Sequence, residues 1–156
     1  MSKDPYVYDD TNILKNLANI KEQNKLDDYE TTMVNLGIIK LLKSDIEIVK
    51  VNDIFLIHKI LFENVYDWAG EKRVINIYKT EPILNGLSVN YSDYKKIDFE
   101  LTKIQKALDS TKWEDLPKNE MINKVVKIIS SIWRVHSFRE GNTRAVSYTH
   151  LTLPTN

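Results

Sequence analysis

Apolar residues recur along this chain at helical rather than strand spacing. Leu26, Tyr29, Met33 and Leu36 follow one another at intervals of three, four and three, which puts them on one face of a helix predicted from about Lys25 to Lys43. Ser44 and Asp45 end it. Ile54, Ile57 and Leu61 repeat the pattern in a second helix, with Asn52 or Asp53 placed to cap it. Tyr94, Ile97, Leu101, Ile104 and Leu108 alternate three and four without a fault, behind Ser92 as the predicted N-cap. A fourth helix is of another kind. Met121, Ile122, Val125, Val126, Ile128, Ile129, Ile132 and Trp133 leave little of its circumference polar, which predicts a helix in the middle of a bundle. Pro117 suits its first turn, where a missing N–H does no harm.

Between the second and third helices the period changes. The run VINIY, residues 74–78, is rich in β-branched and aromatic side chains and predicts a short strand. Asn85-Gly86 offers the positive φ angles of a tight turn between Ile83 and Leu84 on one side and Leu87 and Val89 on the other. A small β-hairpin, or flap, is therefore expected over residues 74–90, and on pattern alone a surface hairpin without a role reads equally well. Only four Gly and four Pro punctuate 156 residues, too few for a sandwich or barrel, so the predicted fold class is mainly α with this one hairpin.

Charge and composition narrow the function classes. Lys plus Arg equal Asp plus Glu at 22 each, so no summed positive field draws nucleic acid or an anionic membrane, and neither is expected as a partner. The absence of cysteine removes disulfides, thiol nucleophiles and thiolate zinc sites, and three His argue against a His-rich metal cluster. No apolar stretch is long enough to span a membrane, and MSKDPYVYDD has no apolar run after its lysine. The chain is read as one compact cytoplasmic domain, with delivery into a host cell left open.

The most informative stretch is VHSFREGNTR, residues 135–144, which follows the most apolar helix. It gathers a base, a carboxylate, a loop able to turn around an anion, and a cation. His136 can accept a proton at neutral pH. Glu140 offers a hard oxygen ligand for Mg²⁺, an ion commonly held by one or two carboxylates together with substrate phosphates. Gly141 and Asn142 tolerate left-handed backbone and can aim successive N–H groups at an anion. A helix starting near Asn142 would favour a phosphate there, with Arg144 adding a permanent planar charge. Phe138 reads as the apolar anchor of the loop. Each residue taken singly has a plainer reading: His136 as a cap, Glu140 and Arg144 as an i, i+4 ion pair, and Gly141-Asn142 as a turn.

Together these residues resemble the signature H-x-F-x-[DE]-G-N-G-R-x-x-R of the Fic (filamentation induced by cAMP) family, which stands here as HSFREGNTRAVS. The upstream LIHKILFENVYDWAGEKRVINIYKT, residues 56–80, is similar to the family's helix, W-A-G turn and flap strand, and YVYDDTNILKNLANI, residues 6–20, to its N-terminal segment. The resemblance covers residues 6–145. It implies a Fic-type helical bundle with a small β-hairpin flap beside the active-site loop, and a protein adenylyltransferase that moves AMP from ATP to a Tyr, Ser or Thr hydroxyl of a target protein with release of pyrophosphate. By the same resemblance His136 is the catalytic base, Glu140 carries Mg²⁺, and Gly141, Asn142, Thr143 and Arg144 bind ATP. The flap edge Ile77, Tyr78, Lys79 and Thr80 docks the target by strand addition.

The sequence departs from the signature at three places. Ser137 replaces the usual proline, Thr143 stands at the second glycine, and Ser147 stands at the second arginine. Thr143 brings a β-branched side chain where backbone would approach phosphates, and Ser147 removes a cation expected at the γ-phosphate. These changes raise the alternative of a catalytically impaired Fic domain that binds nucleotide or protein; donors other than ATP also occur among such relatives. Residues 145–156, AVSYTHLTLPTN, carry no charge, so residues 1–145 are assigned to the Fic domain and residues 146–156 to an atypical tail, expected from truncation, a frameshift or an appended sequence. The family's inhibitory [ST]-x-x-x-E-[GN] motif is not found: Ser110 and Glu114 have the spacing, but Asp115 follows. Restraint would then fall to a lost C-terminal helix or to a separate antitoxin-like protein.

Overall fold

The computed structural model describes residues 4–79 and 89–149, which contain five α-helices and group into two compact units. The first unit comprises Met1–Val49, Asp53–Glu71 and Ser147–Asn156; the second comprises Lys50–Asn52 and Lys72–Val146.

In the first unit an irregular N-terminal segment folds back on itself, with Lys15 N–H donating to the Tyr6 carbonyl and an isolated antiparallel bridge pairing Val7 with Leu14. Helix α1, Gln23–Leu42, packs on α2, Ile54–Phe62. The face that α1 buries is not quite the predicted one. Leu26, Val34 and Gly37 are buried while Leu36 is 54% exposed. The cause is the close approach of the two helices at Gly37, where a Cβ would lie 2.7 Å from the Ile60 carbonyl oxygen and 2.8 Å from the Leu61 Cα. The line of contact runs through the residue without a side chain, which turns Leu36 outward. Beyond α2 the chain stacks Tyr66 on Trp68 with ring centroids 4.3 Å apart, and the Gly70 N–H donates to His58 Nδ1 at 2.9 Å. The W-A-G turn is thereby fastened to α2.

In the second unit α3, Ile97–Asp109, packs on α4, Lys118–Val135. Ile97, Leu101 and Ile104 are buried, as their spacing predicts. The cap comes one residue later than predicted: Asp93, not Ser92, accepts from the Lys95 N–H at the 3₁₀ turn Tyr94–Lys96 that leads into α3. Helix α4 is not the central helix that its composition predicts. Only Ile132 and Val135 are fully buried, whereas Ile122 and Val126 are more than half exposed, because helix-to-helix contact covers one side and apolar residues occupy both. Residues 74–78 form no strand. They form a bend at residues 74–75 followed by irregular chain whose exposure alternates, with Ile75 and Ile77 partly buried and Val74, Asn76 and Tyr78 exposed. Thr80 and the Asn85-Gly86 turn lie outside the described residues.

Helix α5, Asn142–Thr149, continues past the boundary drawn at residue 145, with Ala145 and Val146 buried. Among the described residues no helix is long and apolar enough to cross a membrane.

Candidate active site

Helix α4 ends by delivering His136 in an unusual conformation. The residue adopts left-handed backbone angles, φ 53° and ψ 60°, at the helix C-cap. Glycine or asparagine normally takes that place, and a residue with a Cβ costs ~1 kcal/mol or more there. The turn brings two donors onto one acceptor: the His136 N–H reaches the Trp133 carbonyl at 3.1 Å and the ring Nδ1 reaches the same oxygen at 3.2 Å. A carbonyl oxygen only accepts, so Nδ1 carries the proton and Nε2 presents its lone pair. Nε2 is buried and has no hydrogen-bond partner among the described residues. Tyr91 stacks on the imidazole at 3.8 Å between centroids, and the Trp133 ring meets it edge-on at 5.7 Å.

Burial lowers the His136 pKa from 6.5 to about 4; Lys79 and Arg73 push in the same direction, against the Trp133 carbonyl and Glu140. The imidazole is therefore neutral across the physiological range, as a proton acceptor must be. The shift also links stability to pH. Between pH 6.5 and about 4 the unfolded chain takes up a proton that the folded chain refuses, so this group's effect is absent above pH 6.5 and stability falls as the pH drops through that window. The difference approaches ~3 kcal/mol at the acid end. Urea titrations at pH 7 and pH 4.5 are expected to show a smaller acid loss for His136→Gln than for the parent chain; equal losses would contradict the buried neutral ring.

The loop after His136 is closed by a side chain. Asn142 is buried, its Oδ1 accepts from the Phe138 N–H at 2.8 Å, and its Nδ2 donates to the Phe138 carbonyl at 2.7 Å. An amide has a donor and an acceptor side by side, which this pairing demands and a carboxylate lacks. Asn142 thus shapes the loop with its side chain and leaves only its main chain to face an anion. Phe138 is fully buried and anchors the loop as the sequence predicts. Gly141 takes φ 78°, the left-handed angle expected of it, and α5 begins at the next residue. Thr143 is exposed, and its hydroxyl accepts a hydrogen bond from the Trp133 indole N–H at 3.1 Å.

Glu140 accepts from its neighbour's Gly141 N–H at 3.0 Å and pairs with Lys79, whose Nζ lies 3.1 and 3.2 Å from the two carboxylate oxygens. Burial raises its pKa, but Lys79, the Gly141 N–H and the Arg144 charge outweigh it, and the carboxyl is held below its ordinary value. The charged form of the carboxyl is thereby favoured beside the imidazole. The structure therefore brings together His136, Glu140, Gly141, Asn142, Thr143 and Arg144 on one loop and helix start, and adds Lys79 of the predicted flap edge. Ile77 is half-buried and Tyr78 is 79% exposed. Sequence reasoning missed Tyr91 and Trp133, which surround the imidazole, and Arg73, a cation lodged between a glycine turn and an apolar run, whose position was its only signal.

This arrangement matches an established class. The chain belongs to the Fic/DOC family, whose profile matches residues 48–152. It is 30% identical over 158 residues to the probable protein adenylyltransferase y4lH of Sinorhizobium fredii, covering 96% of this chain and 76% of that protein. It is 28% identical to the protein adenylyltransferase VbhT of Bartonella schoenbuchensis over 93% of this chain, which spans only 29% of that longer relative. Among solved structures, the FIC domain of Bep8 from Bartonella sp. 1-1C superposes with a TM-score of 0.75 at 24% identity, covering 93% of this chain and 71% of that one. The BepC protein of Bartonella tribocorum, solved with bound AMPPNP, gives 0.75 at 23% identity over 92% of this chain and 73% of that one. The fold is that of a Fic domain, and the family's curated relatives are named for AMP transfer to proteins.

Proposed function

We propose that this chain is a protein adenylyltransferase that transfers AMP from ATP to a hydroxyl side chain, Tyr, Ser or Thr, of a target protein. The observation that carries the reading is the bare, buried Nε2 of His136, its tautomer fixed from the far side of the ring, four residues before an ionised carboxylate and six before a helix start. Nε2 takes the hydroxyl proton; the oxygen forms a bond to the α-phosphorus; the bond from that phosphorus to the α–β bridging oxygen breaks, and pyrophosphate leaves. Gly141, the main chain of Asn142, and Thr143 and Arg144 receive the phosphates at the N-terminus of α5, where main-chain N–H groups and the helix dipole favour negative charge. The edge Ile77, Tyr78, Lys79 and Thr80 lays the target's backbone alongside. Among the described residues no cluster of three or more His, Asp or Glu would hold a metal by protein ligands alone. Glu140 suits Mg²⁺ because that ion needs one carboxylate when phosphates supply further oxygens. Bound there, it would neutralise phosphate charge and orient the nucleotide.

A second reading, a Fic domain that binds nucleotide or protein without transfer, is favoured by Thr143, whose side chain is committed to Trp133, and by Ser147 in place of a cation. One experiment separates the two. Label from α-phosphate-labelled ATP is followed into the chain itself and a cell lysate for the parent, His136→Ala, and the pair Thr143→Gly with Ser147→Arg. Labelling by the parent and none by His136→Ala is the expected result. Labelling only by the double variant would mean that the two departures impair the reaction, and none by any form would favour the binding reading. A cytoplasmic setting and an antitoxin-like inhibitor belong to the same proposal.

A further inference from the structure

Arg73 is 1% exposed, and its side chain is directed at main-chain carbonyls from three parts of the second unit. Nε donates to His136 O at 2.7 Å; Nη1 donates to Ile75 O at 2.7 Å; Nη2 donates to Ser92 O and, at 3.3 Å, to Val135 O. Its own N–H donates to Ser137 O at 2.8 Å. Three consecutive carbonyls across the end of α4, those of Val135, His136 and Ser137, are therefore taken by one residue. The same guanidinium holds the chain at Ile75 and at Ser92, on either side of the segment where the sequence predicts the flap.

We propose that Arg73 is a positioning residue of the transfer site, fixing the left-handed turn at His136 to both stems of the target-docking segment. This rests on the AMP-transfer reading above. A residue needed only to fill this space would be apolar, because a buried cation is costly unless its donors are satisfied. The last carbonyls of a helix lack intrahelical donors, and a cation there is favoured by the helix dipole. Only the planar guanidinium supplies enough donors in a fixed fork to reach all three segments; a lysine ammonium has three on a single atom. The purpose follows from the chemistry. The proposed docking edge, Ile77 to Thr80, would have to hold a target hydroxyl toward His136 Nε2 in line with the α-phosphorus, and an error of about 1 Å costs ~10²-fold in rate.

The test compares the parent chain with Arg73→Lys, which keeps the charge and loses the fork. The expected result is a folded variant with nucleotide affinity within ~3-fold of the parent, a kcat for AMP transfer lower by ~10²-fold, and ring ¹⁵N shifts of His136 that report mixed tautomers in place of the single Nδ1–H form. A folded Arg73→Lys with kcat and ring shifts unchanged would overturn the proposal. The NMR arm does not depend on transfer, so an inactive parent chain would count against the AMP-transfer reading and leave this one decided by the ring shifts. Should Arg73→Lys not fold, the parent decides: a scalar coupling across the hydrogen bond from Arg73 Nε–H to the His136 carbonyl carbon is expected, and a freely exchanging Nε–H would overturn the assignment.

Discussion

If the chain transfers AMP as proposed, His136→Gln is expected to lower that transfer by ~10³-fold and to leave nucleotide affinity within ~2-fold of the parent, the loss that follows removal of a positioned general base. Glutamine keeps a donor that can reach the Trp133 carbonyl but has no basic nitrogen to replace Nε2. The effect is expected in kcat, because on the proposed reading the phosphates are held by the start of α5 rather than by the ring. Single-turnover transfer rates and nucleotide titrations on the same samples check both halves. A variant that transfers at more than a tenth of the parental rate would remove His136 from the chemistry. Loss of binding together with rate would instead mean that the side chain shapes the anion site. With the imidazole pKa near 4, the parent should show no loss of rate at pH 6.5 that is traceable to this group.

Gly37→Val destabilises the fold by ~3 kcal/mol, and Gly37→Ala by ~1, with no change in the chemistry of the loop. Helix propensity alone predicts the opposite sign for alanine, a gain of about 1 kcal/mol in the interior of a 20-residue helix. Packing decides otherwise. A Cβ at 2.7 Å from a main-chain oxygen and 2.8 Å from a Cα meets backbone, which cannot swing aside as the end of a long side chain can. Helices α1 and α2 must separate, and buried Leu26, Val34, Ile57 and Leu61 lose contact. Urea midpoints of the two variants against the parent provide the measurement. A raised midpoint for Gly37→Ala would show that the helices do not meet at this point.

The sequence rendered some of this structure well and some not at all, for physical reasons. Ile97, Leu101 and Ile104 are buried as their spacing requires, because a regular period records which side of a helix faces its neighbour. Leu36 misled because the contact with α2 is set by the absence of a side chain at Gly37, and periodicity counts only side chains that are present. Ile122 and Val126 misled for a different reason. Composition tells how much of a helix is apolar, but not whether enough neighbours exist to cover it. In the loop, the left-handed turn at Gly141 and the buried anchor Phe138 were legible from residue type and order. The sequence points to the main chain of Asn142 for an anion and gives no sign that its side chain closes the loop on Phe138. Arg73, Tyr91 and Trp133 act on His136 from 63, 45 and 3 positions away in sequence, and no local pattern marks the first two.

The acceptor that fixes the histidine tautomer is a main-chain carbonyl, that of Trp133. A side-chain orienter can be deleted by one base change; this one is present whatever residue occupies position 133. What must be preserved is the sharp left-handed bend that aims ring and N–H at the same oxygen. The tautomer of His136 that leaves Nε2 able to accept a proton is thus specified by the path of the chain, and substitutions that change it are expected among the residues that hold that path rather than at the acceptor itself.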